Sequence, residues 1–211
     1  MGFTFILLLA YLALTGLAVI TFRSGRKALG GGVLAVMAVS TAVLGYLWVT
    51  SPMGRRGIME IRQLTDAAEK QAVTRLILEA LPEWFGIPEA REEYIRESVG
   101  RIFFCAYDRN RPVGFLCLKE TGNATVELYV MGIRKEYHRR GIGRQLFRQA
   151  RDAAAGAGYA FMQVKTVQMG KYEEYDRANR FYLALGFREF EVFPTLWDEG
   201  NPCQVYVMSL E

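Results

Sequence analysis

The pattern of apolar and polar positions changes character once along this chain. Residues Gly2 to Phe22 and Leu29 to Met53 carry no charge, and a short basic connector with Arg23, Arg26 and Lys27 separates them. Each run supplies about 20 apolar-dominated residues, enough to cross a hydrocarbon core of roughly 30 Å. The pattern therefore predicts a transmembrane helical hairpin, with spans at about 2–22 and 29–50 within a first segment 1–58. Gly16, Gly30, Gly31, Gly32 and Gly45 disfavour soluble helices but allow close helix approach in lipid.

From Met59 the periodicity shortens to that of a mixed α/β domain over 59–211. Met59–Leu64 alternates as a strand. Thr65 or Asp66 can cap a helix that buries Ala67, Val73, Leu76, Ile77 and Leu81 and stops at Pro82. Pro88 opens a second helix through Arg91, Tyr94, Ile95 and Val99. Two strands, 102–107 and 113–119, flank the turn Asp108-Arg-Asn-Arg, and a third covers 125–134. A helix follows Gly143, with Leu146, Phe147, Ala150, Ala153 and Ala154 as its apolar stripe and Gly156–Gly158 as its stop. A strand at 161–167, a helix at 176–185 and strands near 187–193 and 203–210 complete the order. It predicts a mixed sheet with helices on its faces.

Charge separates the same two parts. Of 26 Lys and Arg, five (Arg23, Arg26, Lys27, Arg55, Arg56) lie in residues 1–58, which contain none of the 22 Asp and Glu. Residues 59–211 are close to neutral, so the basic balance of the whole chain comes from the first segment and does not point to a nucleic-acid partner; with no basic stripe interleaved with aromatics in 59–211, none is expected. Cys105, Cys117 and Cys203 have neither disulfide nor metal spacing, and His138 is the single histidine. No metal is expected.

The richest stretch is Glu127-Leu-Tyr-Val-Met-Gly-Ile-Arg-Lys-Glu-Tyr-His-Arg-Arg-Gly-Ile-Gly-Arg144. It reads as a strand feeding a glycine-containing turn that opens a helix. The first helical turn leaves backbone N–H groups unpaired at the positive end of the dipole, a setting that holds a diphosphate. Gly141 and Gly143 let the backbone approach the anion, and Arg139, Arg140 and Arg144 add positive charge.

His138-Arg-Arg-Gly141-Ile142-Gly143 resembles the Gln/Arg-x-x-Gly-x-Gly/Ala signature of the GNAT superfamily of acyl-CoA-dependent N-acetyltransferases, with His138 departing at the first position. Ala178-Asn-Arg-Phe-Tyr-Leu-Ala-Leu-Gly186-Phe187 resembles a second pattern of that family, Ala-x-x-Phe-Tyr-x-x-x-Gly-Phe. The resemblance covers about 59–211. It implies a GNAT-like fold, acetyl-CoA as co-substrate and a primary amine, of a small molecule or a protein, as acceptor. It places the co-substrate on Met131, Gly132, Ile133, His138, Arg139, Arg140, Gly141, Ile142, Gly143 and Arg144, with Asn179 as a further contact.

Acetyl transfer to an amine needs a base, a group that polarises the thioester carbonyl and an acid for the departing thiolate. Glu127 is the candidate base, and its even offset from Ile133 sets both side chains on one face of a regular strand. The resemblance carries Tyr182 over as the acid, and it implies a backbone N–H near Met131–Ile133 as the polarising group. Leu81–Pro88 and Phe193–Trp197 offer aromatic residues for the acceptor. Acyl-CoA chemistry favours a domain facing the cytoplasm from the cell membrane. The alternative start at Met59-Glu-Ile-Arg-Gln-Leu would give a cytoplasmic product. A membrane-tethered acyl-CoA sensor without catalysis is the rival reading, and the resemblance implies a possible homodimer formed through the late strands.

Overall fold

The computed structural model describes residues 19–20, 23–25, 38–41 and 59–211. The chain divides into two units, 1–57 and 58–211. In the first, residues 19–20, 23 and 38–41 have helical backbone. The two expected spans otherwise lie outside the described residues, among which no helix is long and apolar enough to cross a membrane.

In the second unit the order is β1 (Met59–Leu64), α1 (Ala67–Leu78), α2 (Pro88–Glu97), β2 (Ile102–Asp108), β3 (Arg111–Gly122), β4 (Thr125–Ile133), α3 (Ile142–Gly156), β5 (Phe161–Val167), α4 (Glu173–Leu185), β6 (Arg188–Asp198) and β7 (Asn201–Ser209). The strands form one sheet in the order β1-β2-β3-β4-β5-β7-β6. All neighbours are antiparallel except β4 and β5.

Local chemistry explains most of these elements. Asp66 caps α1 by accepting from the Glu69 N–H at 2.7 Å, and Pro88 stands at the start of α2, where a missing N–H costs nothing. Arg109 and Asn110 have φ of 50° and 68°, the left-handed pair that a two-residue hairpin turn requires. Gly186, at φ 102°, ends α4 and sends the chain into Phe187.

Two apolar cores form on opposite faces of the sheet. One lies under α3 and gathers Ile142, Leu146, Phe147, Ala150 and Ala154 with Val126, Leu128, Met162, Val164 and Tyr206. The other lies under α1 and joins Val73, Ile77, Leu78 and Leu81 with Phe103, Phe115, Cys117 and Val130. Burying each large side chain contributes roughly 1.5–3 kcal/mol, so each helix is held by its stripe rather than by propensity. Leu76, expected in the α1 stripe, is exposed, and Lys70 is buried instead; its ammonium donates to the carbonyls of Val99 and Arg101 at 3.0 and 2.7 Å. The helix at 176–185 begins three residues earlier, because Glu173, Glu174 and Asp176 suit the positive first turn.

Candidate active site

The site begins with a break in the sheet. β4 and β5 pair only over Thr125–Glu127 against Phe161–Gln163, although β4 continues to Ile133 and β5 to Val167. From Leu128 onward the β4 edge facing β5 has no ladder partner. The result is a fork, open toward the ends of both strands, with Met131, Gly132 and Ile133 along one prong.

β4 also contains a bulge. Cys117 stands opposite Val130 and Leu118 opposite Leu128, so Tyr129 is an extra residue. Val126 and Leu128 face the α3 core, and so do Met131 and Ile133, whereas Tyr129 and Val130 pack on the α1 side. Alternation from Val126 and Leu128 puts Glu127 on the α1 side as well. The expectation that Glu127 and Ile133 share a face is therefore corrected: the extra residue reverses the parity between them.

Glu127 lies at the base of the fork, only 6% exposed. Its Oε2 accepts from the Lys165 Nζ at 2.6 Å. Lys165 follows Val164 of the α3 core, so it projects from β5 on the same side as Glu127. Among the described residues Glu127 is the only buried carboxylate. Within electrostatic reach of Glu127 stands Tyr94 of α2, in edge contact with Tyr129 at 5.2 Å and with Phe85 at 5.9 Å. Burial, with Tyr175 and Glu127 nearby, pushes the Tyr94 hydroxyl up to about 12. Cys203, on β7, is pushed up to about 11 by burial.

Tyr182 packs against Phe187 and Tyr206 from α4. Burial first, then the phenols of Tyr94 and Tyr175, raises its hydroxyl well above the ordinary phenol range. The group stays protonated and able to donate. Among the described residues Tyr94, Tyr129 and Tyr182 find no hydrogen-bond partner for their hydroxyls, whereas Tyr175 donates to the Trp84 carbonyl at 3.0 Å.

The turn before α3 is left-handed at Arg139 (φ 59°) and again at Gly141 (φ 78°). Alternation of this kind turns successive N–H groups toward one concavity. The first helical bond runs from the Gln145 N–H to the Gly141 carbonyl at 3.1 Å, and the N–H groups of Arg139, Arg140, Gly141, Ile142, Gly143 and Arg144 have no acceptor among the described residues. These donors and three arginines fit a diphosphate. Two expectations change in detail. His138 already gives its N–H to Lys135, and its ring Nε2 sits 2.6 Å from the Ile133 carbonyl and in edge contact with Trp84. Gly143 is also closely packed: a Cβ there would lie 3.0 Å from Met131 Cε and Phe181 Cζ and 3.2 Å from Ile133 Cδ1.

Asn179, expected at the co-substrate, is fully buried and bonded on every side. Its amide donates to the carbonyls of Val167 and Tyr175, at 3.0 and 2.8 Å, and its oxygen accepts from Tyr206 at 2.6 Å. It ties α4 to β5 and β7 and has no donor left over. The loop 82–87 is likewise fixed: Trp84 Nε1 donates to the Glu174 carbonyl at 3.3 Å, and Lys135 pairs with Glu83. Lys165 and Tyr94 were not expected at the site. The odd offset from Val164 sets Lys165 on the other face of β5, but only the fold brings it to Glu127.

Comparison with known proteins agrees with this geometry. Residues 99–189 match the family model of the acetyltransferase (GNAT) domain. No curated protein matches the chain. Among solved structures, the ribosomal-protein-S18-alanine N-acetyltransferase from Escherichia coli superposes with a TM-score of 0.58 at 15% identity, over 73% of this chain and 95% of that one. An aminoglycoside 6'-N-acetyltransferase complexed with coenzyme A gives 0.57 at 18% identity, over 72% and 98%. A GNAT family acetyltransferase from Elizabethkingia anophelis with acetyl-CoA bound gives 0.55 at 18% identity, over 72% and 97%. These likenesses concern the fold. The family match itself spans residues 99–189, which include β4, the left-handed turn and α3.

Proposed function

We propose that this protein is an N-acetyltransferase that moves the acetyl group of acetyl-CoA to the primary amine of a small molecule or protein. The observation that carries the reading is the fork between β4 and β5 at the same end of the sheet as the unpaired N–H groups of Arg139–Arg144. Those N–H groups and the three arginines suit a diphosphate, and the open edge at Met131–Ile133 suits the thioester arm and its carbonyl. Glu127 takes a proton from the incoming ammonium, and Tyr182 gives one to the departing sulfur. Asn179 acts by holding α4 in place.

Glu127→Gln is expected to lower turnover by about 10²–10⁴-fold, the usual worth of a positioned general base, with acetyl-CoA affinity little altered. Thiol release and equilibrium binding, measured on the full-length chain, check both halves. Unchanged turnover would remove Glu127 from the role of base, and absence of acetyl-CoA binding would remove the whole reading.

The uncharged runs 2–22 and 29–50 support a second part of the reading: residues 1–58 anchor the protein in the cell membrane, with the domain on the cytoplasmic side. A C-terminally tagged chain expressed from its own gene should then sediment with membranes at full length and resist carbonate extraction. A free product starting at Met59 would sink the anchor. A homodimer would use the outer edge of β6, where Phe190, Leu196 and Trp197 are exposed.

A further inference from the structure

The charges at the fork narrow the acceptor. Glu127 is the one buried carboxylate among the described residues, and Lys165 neutralises it at 2.6 Å. Lys165 is partly exposed on the same side of the sheet, so the pair presents one anionic and one cationic group to whatever enters. A polyamine or other polycation would meet no spare buried negative charge there. An acceptor with an ammonium and a carboxylate on adjacent atoms meets both partners, and the exchange leaves every charge paired. Tyr94, whose hydroxyl lies within electrostatic reach of Glu127, belongs to an aromatic group, packing edge-on against Tyr129 and Phe85. The hydroxyls of Tyr94 and Tyr129 have no hydrogen-bond partner among the described residues, which suits a ligand or water.

We propose that the acceptor is a free α-amino acid with an apolar or aromatic side chain, its ammonium engaged by Glu127 and its carboxylate by Lys165. This rests on the acetyl-transfer reading above. In the reaction a C–N bond forms at the thioester carbonyl and the C–S bond breaks. Of the two protons that the ammonium loses, one leaves through Glu127 to solvent and the other balances the proton that Tyr182 delivers to the thiolate. Lys165 does not touch the reacting atoms; it selects the substrate by its carboxylate.

The test compares L-phenylalanine with L-phenylalaninamide, and spermidine as a polycation, using thiol release from acetyl-CoA by the full-length protein. The free acid is expected to exceed its amide in kcat/KM by tenfold or more. In Lys165→Met that ratio should fall to near one, and in Lys165→Arg, which keeps the charge, it should persist. A ratio near one in the unaltered protein, a ratio indifferent to Lys165→Met, or a preference for spermidine would overturn the assignment while leaving acetyl transfer intact. Equilibrium dialysis of L-phenylalanine, with and without Lys165→Met, separates the two claims. Binding that depends on Lys165 without any thiol release would uphold the zwitterion site and refute the transfer reading. Absence of both would refute the two together.

Discussion

Asn179 joins three elements through one side chain. Its two amide hydrogens and its oxygen serve Val167, Tyr175 and Tyr206, all inside the protein. Each buried partner left unsatisfied costs about 1–3 kcal/mol. Asn179→Leu is therefore expected to lower unfolding free energy by about 3 kcal/mol or more, measured by denaturant titration. The sequence reading offered this residue as a further co-substrate contact, and the structure spends its side chain inside the protein, since a sequence does not say which way an amide points. The orientation of Glu127 failed for a related reason. The extra residue at Tyr129 reverses strand parity, and no propensity at Leu128-Tyr129-Val130 announces a bulge. Lys165 was invisible because its partner lies 38 residues away and only strand pairing brings them together.

At the scale of elements, α3 shows how closely a helix start can be seated. Gly143→Ala would put a methyl group 3.0 Å from Met131 Cε and Phe181 Cζ. Both are ends of flexible side chains, so overpacking of about 1–3 kcal/mol is offset by roughly 1 kcal/mol of helix propensity. The net expectation is a modest fall in melting temperature together with weaker acetyl-CoA binding, because lifting the first turn displaces the donor N–H groups. Calorimetry and binding titration read the two effects. Elements as such were legible: the alternation at 59–64, the proline at 88, and the Arg109-Asn110 turn were each sufficient. Boundaries were less so. β6 extends to Asp198 rather than ending near 193, carried by the Asp198 carboxylate, which accepts the Asn201 N–H at 2.9 Å and closes the turn into β7. That hairpin is fixed by a side chain, a signal that hydrophobic alternation does not carry.

Across the whole molecule, buried phenols set an alkaline limit. Tyr94 and Tyr206 are each pushed up to about 12, chiefly by burial, against an ordinary value near 10. A folded-state value above the unfolded one means that the unfolded chain releases the proton first. Their contribution to stability is complete below about pH 10 and disappears as pH climbs through 12. Melting temperature should hold steady to about pH 9.5 and then decline, with Tyr206→Phe blunting the decline. The seven-stranded order was only partly readable beforehand, because nothing local dictates that β7 inserts between β5 and β6. The three-residue ladder between β4 and β5 has a consequence for how the chain acquires its shape. β2, β3 and β4 succeed one another by short turns, so their contacts are local and inexpensive in loop entropy, whereas β5 must return across α3 to meet β4 along a brief parallel seam. Contact locality therefore predicts the β2–β4 meander as the nucleus, with β5–β7 docking late, an order that pulse-labelled hydrogen exchange checks. On that expectation the opening between β4 and β5 is also the seam along which the domain would come together last.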